Sequence, residues 1–432
     1  MGITVKWDIT YKCNLNCRHC INGDFLNKSK EELTYNEILD IIDSISNEVE
    51  IDYIHFLGGE PTVRTDFFDI CKYLNENQIH FGFNTNCLKL KGELLNKLKN
   101  LKYLDCITIS LEGPNEKIND QIRGKRVFRK IKKSIDEINK FTEKKPKITI
   151  NTVVSKLNYK HIKEIIEFCI FNEISELTLL ELVEIGNAQG ENMGLSYNQK
   201  WEVLKCIDQK LKESSTELKI IPKFVRQLTI DAFNIIENGN LPNVKHGCGA
   251  GLDFVFIDNR GNCFSCDGIR NAKLQENDLN IVEKDFKYAW HDKSFSQIFE
   301  KLESEEYNKT EPCINCLHFK KSCIPCPLEI AYSENLECRE SYKRMNRTLY
   351  NNLEISRGAI RFANSDGKYH IHHINTNTTL ELNSNAYNLV KSIYLREITS
   401  WKDCIENPEF KSVPRNEITE FLSYLKDEKI IK

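Results

Sequence analysis

Three cysteines close to the N-terminus carry the clearest chemical signal in this sequence. Cys13, Cys17 and Cys20 form a C-x3-C-x2-C loop directly after a strand-like segment, residues 3–9. Thiolate sulfur is a soft ligand that holds iron–sulfur clusters, and these clusters normally take four protein ligands. Three ligands in one loop leave one iron of a 4Fe–4S cluster open to a small molecule. A zinc site or unligated buried thiols are the alternatives for this loop alone.

A glycine-rich turn follows the next predicted strand. It contains Gly58, Gly59 and Glu60, followed by a proline. Glycine allows the backbone to approach a ligand closely, and the carboxylate of Glu60 can accept a hydrogen bond from an ammonium group. Such a turn is weak evidence by itself, but its spacing from the three cysteines favours a ligand-binding site.

The cysteine loop and the glycine-rich turn together resemble the signature of the radical S-adenosylmethionine (SAM) enzymes. The resemblance implies that the amino and carboxylate groups of SAM fill the open position of the cluster. Electron transfer into the sulfonium then releases a 5′-deoxyadenosyl radical, which abstracts hydrogen from a substrate. His19, the aromatic residue before the last cysteine, is implied to bind SAM together with Gly58, Gly59 and Glu60.

Two later segments agree with this resemblance. Ser110 and Glu112 end a predicted strand where many family members have a Ser-Leu-Asp-Gly sequence that contacts the ribose of SAM. Ser110 and Arg123 are implied to bind SAM, whereas the role of Glu112 stays open because it replaces the usual aspartate. A surface salt bridge is the alternative for Arg123. Cys87 stands where a Thr-Asn-Gly element of the family has glycine.

A second group of eight cysteines lies between residues 248 and 338, the number that two four-thiolate clusters need. A hairpin over residues 254–263 is predicted within it. This region resembles the SPASM extension of peptide-modifying radical SAM enzymes, which carries two auxiliary 4Fe–4S clusters. The resemblance implies a first auxiliary cluster on Cys248, Cys266 and Cys326, with Cys263 as candidate fourth ligand, and a second on Cys313, Cys316, Cys323 and Cys338.

The match to this extension has two departures. Cys323 is displaced by one position, and Cys263 lies closer to Cys266 than the family's extra ligand does. If Cys263 is not a ligand, the first auxiliary cluster has an open iron that could bind a substrate thiol. Two zinc ribbons built from the C-x2-C pairs are the alternative for the whole region.

Asp267 directly follows Cys266. A Cys-Asp pair at this point resembles sulfatase-type maturases, in which the aspartate is the proposed base that deprotonates the substrate. We therefore treat Asp267 as the candidate catalytic residue, with a turn-capping carboxylate as the alternative.

Composition narrows the class of protein. With 432 residues the chain should contain two or three domains, and its net charge of −3 gives no sign of a nucleic-acid or membrane partner. No run of about 20 apolar residues is present, and the first residues do not resemble a signal peptide. Seventeen cysteines then favour metal ligation in the cytoplasm over disulfides.

Alternating strand and helix patterns fill the first half of the chain. Six predicted strands at residues 3–9, 52–57, 79–84, 106–111, 147–154 and 176–182 are each followed by a helical pattern. Parallel crossovers then predict an α/β fold, a partial (β/α)6 TIM-like barrel, with ligands at the carboxyl ends of its strands. The expected domains are 1–220 for this barrel, 221–346 for the SPASM extension and 347–432 for a C-terminal domain.

The C-terminal domain has a different pattern. Short strands are predicted at residues 359–362, 368–374 and 380–382, followed by helices that begin near Asn383 and Pro414. This α+β order resembles the winged-helix-like domains that recognise precursor-peptide leaders by adding the leader as a strand. A structural or dimerisation domain is the alternative. His372 and His373 are expected at the surface.

The favoured function is a radical SAM/SPASM oxidoreductase that modifies a ribosomally made peptide and forms a thioether or carbon–carbon cross-link. It would use three 4Fe–4S clusters and SAM, a precursor peptide with a leader, and flavodoxin or ferredoxin as external electron donor. A sulfatase-type maturase that makes formylglycine is one alternative. A non-catalytic iron–sulfur carrier is another, but it would have no need of Gly58, Gly59, Glu60 and Arg123.

Overall fold

The computed structural model describes most of the first 292 residues and parts of the remainder. The described residues are 2–28, 31–141, 144–213, 216–242, 250–251, 253–268, 279–292, 337–338, 340–341, 344, 353–355, 360–365, 368–374 and 378–431. Five predicted cluster ligands lie outside them, namely Cys248, Cys313, Cys316, Cys323 and Cys326.

A nine-stranded sheet organises the first 292 residues. Its strands are β1 (Ile3–Thr10), β2 (Ile51–Gly58), β3 (Phe81–Thr85), β4 (Leu104–Ser110), β5 (Lys147–Val154), β6 (Glu176–Glu181), β7 (Lys219–Lys223), β8 (Phe254–Ile257) and β9 (Cys263–Phe264). Their order across the sheet is β7-β6-β5-β4-β3-β2-β1-β8-β9. All neighbouring strands are parallel except β8 and β9, which run antiparallel to each other. The predicted α/β fold with a parallel sheet is confirmed.

Helices connect the strands and cover the apolar face of the sheet. They are α1 (Tyr35–Glu48), α2 (Phe67–Glu76), α3 (Gly92–Leu98), α4 (Glu116–Arg123), α5 (Val127–Ile138), α6 (Ile162–Phe171), α7 (Tyr197–Glu213), α8 (Gln227–Glu237) and α9 (Ile281–Trp290). Side chains along β4 alternate between the two faces of the sheet. Ile107 and Ile109 are fully buried in the core, while Thr108 and Ser110 point to the opposite face.

Local capping sets where α1 begins. Thr34 accepts a hydrogen bond from the backbone N–H of Glu37, and the Glu37 carboxylate accepts one from the N–H of Thr34. This capping box fixes Tyr35 as the first residue of the helix. Ile38 and Ile42 then lie fully buried against the sheet.

The sheet is wider than the six predicted strands because β7 and β8 extend it at opposite ends. The predicted hairpin over residues 254–263 is present as β8 and β9, but β8 also pairs in parallel with β1, with Thr4 opposite Phe254. Helix α9 follows and packs on α1, where Phe286 N–H donates to Ser44 Oγ at 3.1 Å. The cysteine-rich region therefore begins as part of the barrel sheet.

The described residues between 337 and 344 contact α7 and α8 near the other end of the sheet. Their described positions are helical, and the ammonium of Lys200 on α7 bridges the carboxylates of Glu181, at 2.6 Å, and Glu337. The guanidinium of Arg344 lies 4.9 Å from the ring centre of Trp201. Because Lys200 is 8% exposed and the side chain of Glu337 is 15% exposed, this largely shielded ion pair fastens the end of the cysteine-rich region to the barrel.

The C-terminal residues form a separate α+β unit with its own hydrophobic core. Strands β10 (Ile360–Ser365), β11 (Lys368–His373) and β12 (Thr378–Leu382) make an antiparallel sheet, followed by α10 (Ser384–Tyr394), α11 (Trp401–Glu406) and α12 (Arg415–Asp427). Asn383 caps α10 and Pro414 precedes α12, as predicted. Residues 366–367, between β10 and β11, lie outside the described residues; the sequence Asp366-Gly367 predicts a hairpin turn there.

One prediction for this unit was wrong. His373 is only 4% exposed, because it shares the helix-covered face of β11 with Ile371. His372 points to the other face, where its ring nitrogen lies 2.9 Å from the Thr379 hydroxyl. No helix in the described ranges is long and apolar enough to cross a membrane.

Candidate functional site

One cavity of about 360 Å³ lies at the carboxyl ends of the parallel strands. The structure brings ten of the predicted site residues to its wall: Cys13, Cys17, His19, Cys20, Gly58, Gly59, Glu60, Ser110, Arg123 and Asp267. The site is therefore where the carboxyl-end rule for parallel α/β sheets predicts it.

The cysteine loop is held in place by hydrogen bonds from several elements. Asn27 accepts from the N–H of Cys13 at 3.0 Å and donates to its carbonyl at 3.1 Å. On the other side, the Asn187 side chain donates to the carbonyl of Cys17 at 2.9 Å. The N–H of Arg18 donates to the carbonyl of Ile122 at the end of α4. These contacts fix the backbone that carries the three thiols.

Burial dominates the acidity of these thiols. It raises the pKa of Cys13 to about 12 and that of Cys20 to about 11, and it also raises the pKa of Cys17. Without a metal the three groups are therefore neutral thiols near pH 7. Binding iron must displace their protons, as is usual for metal–thiolate sites. Within the described residues, no three His, Cys, Asp or Glu side chains are grouped to hold a single metal ion.

The glycine-rich turn packs directly on the start of the cysteine loop. Gly59 N–H donates to the carbonyl of Thr10 at 2.7 Å, and a Cβ atom on Gly58 would lie 2.3 Å from that oxygen. Gly58 also has a φ of 116°, which favours glycine. The two glycines are thus required for the close approach of β2 to the loop, besides any contact with a ligand.

Glu60 is almost completely buried and joins two of the predicted motifs. One carboxylate oxygen accepts from the hydroxyls of Thr62 and Thr85, and the other accepts from the N–H of Asn86 at 2.7 Å. Burial raises the pKa of Glu60, and these hydrogen bonds oppose that effect. Because Glu60 lines the cavity and the oxygen bonded to Asn86 has capacity for one more donor, this carboxylate can still accept from an ammonium group.

Cys87, which replaces the family's glycine, keeps the glycine-like backbone. Its φ is 67° and its side chain is fully buried in the core. A left-handed conformation costs a non-glycine residue about 1–2 kcal/mol. The substitution therefore preserves the turn beside Asn86 at a cost in stability.

A buried group of three charged or ionisable side chains forms another wall. The Glu112 carboxylate lies 2.7 Å from Arg123 Nη1 and 3.4 Å from His19 Nε2. Burial lowers the pKa of His19, so the ring is neutral near pH 7. Burial is the largest effect on the pKa of Arg123 and lowers it, but Glu112, Cys17 and Cys13 together outweigh burial, so the net pKa is raised. Arg123 is 8% exposed, so its salt bridge is not a surface contact.

These features fit a 4Fe–4S cluster with SAM. Three thiols from one loop line the cavity, and two buried nitrogens beside them, His19 Nδ1 and Arg123 Nε, have no hydrogen-bond partner among the residues that the structure describes. A bound ligand with polar groups would satisfy them.

Several lining residues escaped the sequence analysis. Asp8, Asn84, Asn151 and Glu181 are polar residues near the ends of predicted strands, so the carboxyl-end rule could have identified them. His55 on β2 orients Asn84, because His55 Nε2 lies 2.8 Å from the side-chain oxygen of Asn84. The cavity is therefore more polar than the motifs alone indicated.

Two further features lie beside the cavity. The turn Gly186–Ala188 packs against the backbone of the cysteine loop. Cys263 is fully buried in the barrel core, whereas Cys266 and Cys338 are partly exposed. Asp267 reaches the cavity because β8 pairs with β1.

Comparison with known proteins agrees with this geometry. Residues 7–169 match the radical SAM superfamily, so this part of the chain is a radical SAM domain. The chain is 28% identical over 322 residues to the mycofactocin maturase MftC of Mycolicibacterium smegmatis, covering 73% of the chain and 76% of that protein. It is 26% identical over 331 residues to the AdoMet-dependent heme synthase of Methanosarcina barkeri, covering 74% and 90%.

Among solved structures, SuiB of Streptococcus suis bound to SAM has a similar fold. The TM-score is 0.61 with 19% identity, over 78% of this chain and 76% of SuiB. SuiB bound to its precursor peptide SuiA matches equally well, with a TM-score of 0.62. The likeness extends well beyond the radical SAM domain.

Proposed function

We propose that this protein is a radical SAM maturase that modifies a ribosomally made peptide. The observation that carries the proposal is the single cavity lined by the three thiols of the cysteine loop, the SAM-type motifs and Asp267. The similarity to a mycofactocin maturase and to the fold of SuiB, which has been crystallised with a precursor peptide, supports a peptide as the substrate.

In this proposal Cys13, Cys17 and Cys20 would hold a 4Fe–4S cluster, and SAM would bind beside it in the same cavity. When bound, these groups would supply the radical chemistry that removes hydrogen from the substrate. The glycine-rich turn and Glu60 bind the methionine part of SAM, while Ser110 contacts its ribose. Burial of the surrounding side chains excludes water, which protects a reactive species from side reactions.

The remaining wall of the cavity is available to the substrate. Phe256, Leu180 and Val183 supply apolar surface, and Glu181 and Asp267 supply carboxylates. We assign to Asp267 the role of base, accepting a proton from the peptide at its carboxylate oxygen. An apolar wall with a few polar groups is typical of sites that bind and orient organic ligands.

The cysteine-rich region is proposed to hold two auxiliary 4Fe–4S clusters, on the ligands that the SPASM resemblance implies. The position of Cys266, immediately before the cavity residue Asp267, supports a first auxiliary cluster beside the substrate. If Cys263 is not the fourth ligand, that cluster has an open iron. Such a cluster could accept an electron or bind the substrate thiol as a thioether or carbon–carbon bond forms.

Residues 347–432 are proposed to capture the leader of the precursor. The antiparallel sheet of this unit has β10 and β12 at its edges, and an extended peptide can add as a strand to such an edge.

Flavodoxin or ferredoxin in the cytoplasm is the proposed source of electrons.

Iron analysis and SAM cleavage test the proposal. Anaerobically reconstituted protein should hold roughly twelve irons, and the triple substitution of Cys13, Cys17 and Cys20 by Ala should leave about eight. That variant should form no 5′-deoxyadenosine under reducing conditions. Cys169→Ala is the control, because Cys169 is a buried core residue on α6. Two tightly bound zinc ions in place of auxiliary clusters would contradict the SPASM assignment.

A further inference from the structure

Glu112 occupies a position where the resembled family usually has aspartate, and it contacts two partners at once. Its side chain is 1% exposed. One oxygen lies 2.7 Å from Arg123 Nη1 on α4, and the other lies 3.4 Å from His19 Nε2 on the cysteine loop. The carboxylate therefore bridges two elements that both line the cavity.

The backbone around Glu112 is held independently of this side chain. Its N–H donates to Asn119 Oδ1 at 3.0 Å, and its carbonyl accepts from Asn158 Nδ2 at 3.1 Å. The end of α4 is also tied to the cysteine loop through the Arg18 N–H and the carbonyl of Ile122. A conservative change at Glu112 should therefore alter side-chain orientation more than the fold.

Beside this bridge, one buried nitrogen of each partner has no hydrogen bond to any residue in the described part of the chain. A carboxylate facing His19 Nε2 favours the proton on that nitrogen, so Nδ1 becomes an acceptor. Arg123 uses Nη1 for Glu112, and its Nε–H remains a donor. Both nitrogens are buried, so leaving either without a hydrogen bond costs free energy, and a bound ligand can supply the missing partner.

We propose that Glu112 is a positioning residue for SAM and not a ribose ligand. It orients His19 to accept a hydrogen bond through Nδ1, and Arg123 to donate one through Nε. Glutamate is needed because its side chain is one methylene, about 1.5 Å, longer than aspartate, and the shorter residue cannot reach both partners. This inference rests on one part of the proposed function, namely that the cavity binds SAM.

The test is to restore the family's usual residue with Glu112→Asp. SAM binding is measured by titration calorimetry on reconstituted, unreduced protein without peptide, alongside iron content. We expect the variant to keep its full iron content. Its Kd for SAM should be at least about tenfold higher, because the loss of one bridging contact corresponds to about 1.4 kcal/mol of binding free energy. Glu116→Asp is the control, because Glu116 lies on the exposed face of α4 and pairs with Arg129.

A double-mutant cycle with His19→Phe separates positioning from a general structural effect. If Glu112 acts partly through His19, the two substitutions together should weaken SAM binding by less than the product of their separate effects. Unchanged or tighter SAM binding by Glu112→Asp, or strictly multiplicative effects in the cycle, would overturn the inference. Wild-type protein that binds SAM but modifies no peptide would instead refute the proposed function and leave this inference standing.

Discussion

Asp267 is the residue on which the proposed chemistry depends most. It shares the cavity wall with the three thiols and directly follows Cys266, which is partly exposed. A carboxylate at this point can take up the proton that the substrate releases when a new bond forms. General-base catalysis of this kind contributes about 10²–10⁴ in rate.

Asp267→Asn should separate SAM cleavage from product formation. Asparagine keeps the shape of the side chain but cannot accept the proton, so 5′-deoxyadenosine should still form while modified peptide falls by about 10²-fold or more. Chromatography of both products from the same reaction provides the measurement. Asp253→Asn, on an exposed residue before β8, is the matched control. Equal product yield from the two variants would leave Asp267 as a capping residue.

Among the secondary-structure elements, the cysteine loop is set by its neighbours more than by its own sequence. The turn Gly186–Ala188 after β6 packs on it, with the N–H of Asn187 donating to the carbonyl of Cys20 at 3.0 Å. Gly186 has a φ of 59°, and a Cβ atom there would lie 2.5 Å from the same carbonyl oxygen. The cysteine loop and this turn can therefore approach only if residue 186 lacks a side chain.

Gly186→Ala should loosen the first cluster, and Gly190→Ala should not. Both glycines have positive φ, so both substitutions carry about 1–2 kcal/mol of backbone strain. Only Gly186 adds a clash with the cysteine loop, because nothing lies within 4 Å of a Cβ atom on Gly190. Iron retained after desalting and SAM affinity provide the comparison. Equal losses in the two variants would show that strain alone matters.

At the scale of the whole molecule, the described residues form two large hydrophobic cores, besides a small cluster of Leu182, Ala188 and Met193. One core covers the barrel and the β8–β9 hairpin, and the other covers the described residues from Leu353 to Ile431. The two sets of buried residues do not overlap. Removal of the C-terminal unit therefore leaves the packing of the barrel core intact.

A chain ending at residue 346 should cleave SAM but no longer process a full-length precursor. The barrel retains every lining residue of the cavity, whereas the sheet edges proposed to bind the leader are gone. A synthetic leader should bind the intact protein with a Kd of about 1 μM or tighter, equivalent to about −8 kcal/mol, and should not bind the truncated chain. Unchanged turnover of the precursor after truncation would reduce this unit to a structural domain.

Local patterns in the sequence determined much of this protein. The spacing of Cys13, Cys17 and Cys20 and the glycine-rich turn depend on neighbouring residues, as do the six strand–helix repeats. The caps at Asn383 and Pro414 are equally local. Such signals act over one turn or one strand, so they can be recognised without knowing what packs against them.

Contacts between segments that are far apart in the sequence could be determined only from the tertiary structure. Pairing of β8 with β1 brings Asp267 to the cysteine loop, and the Glu112 bridge depends on where α4 meets that loop. The burial of His373 follows from the helices that cover one face of its sheet. Each of these depends on contacts between residues far apart in the chain, and neither residue type nor periodicity specifies which partner such a residue will meet.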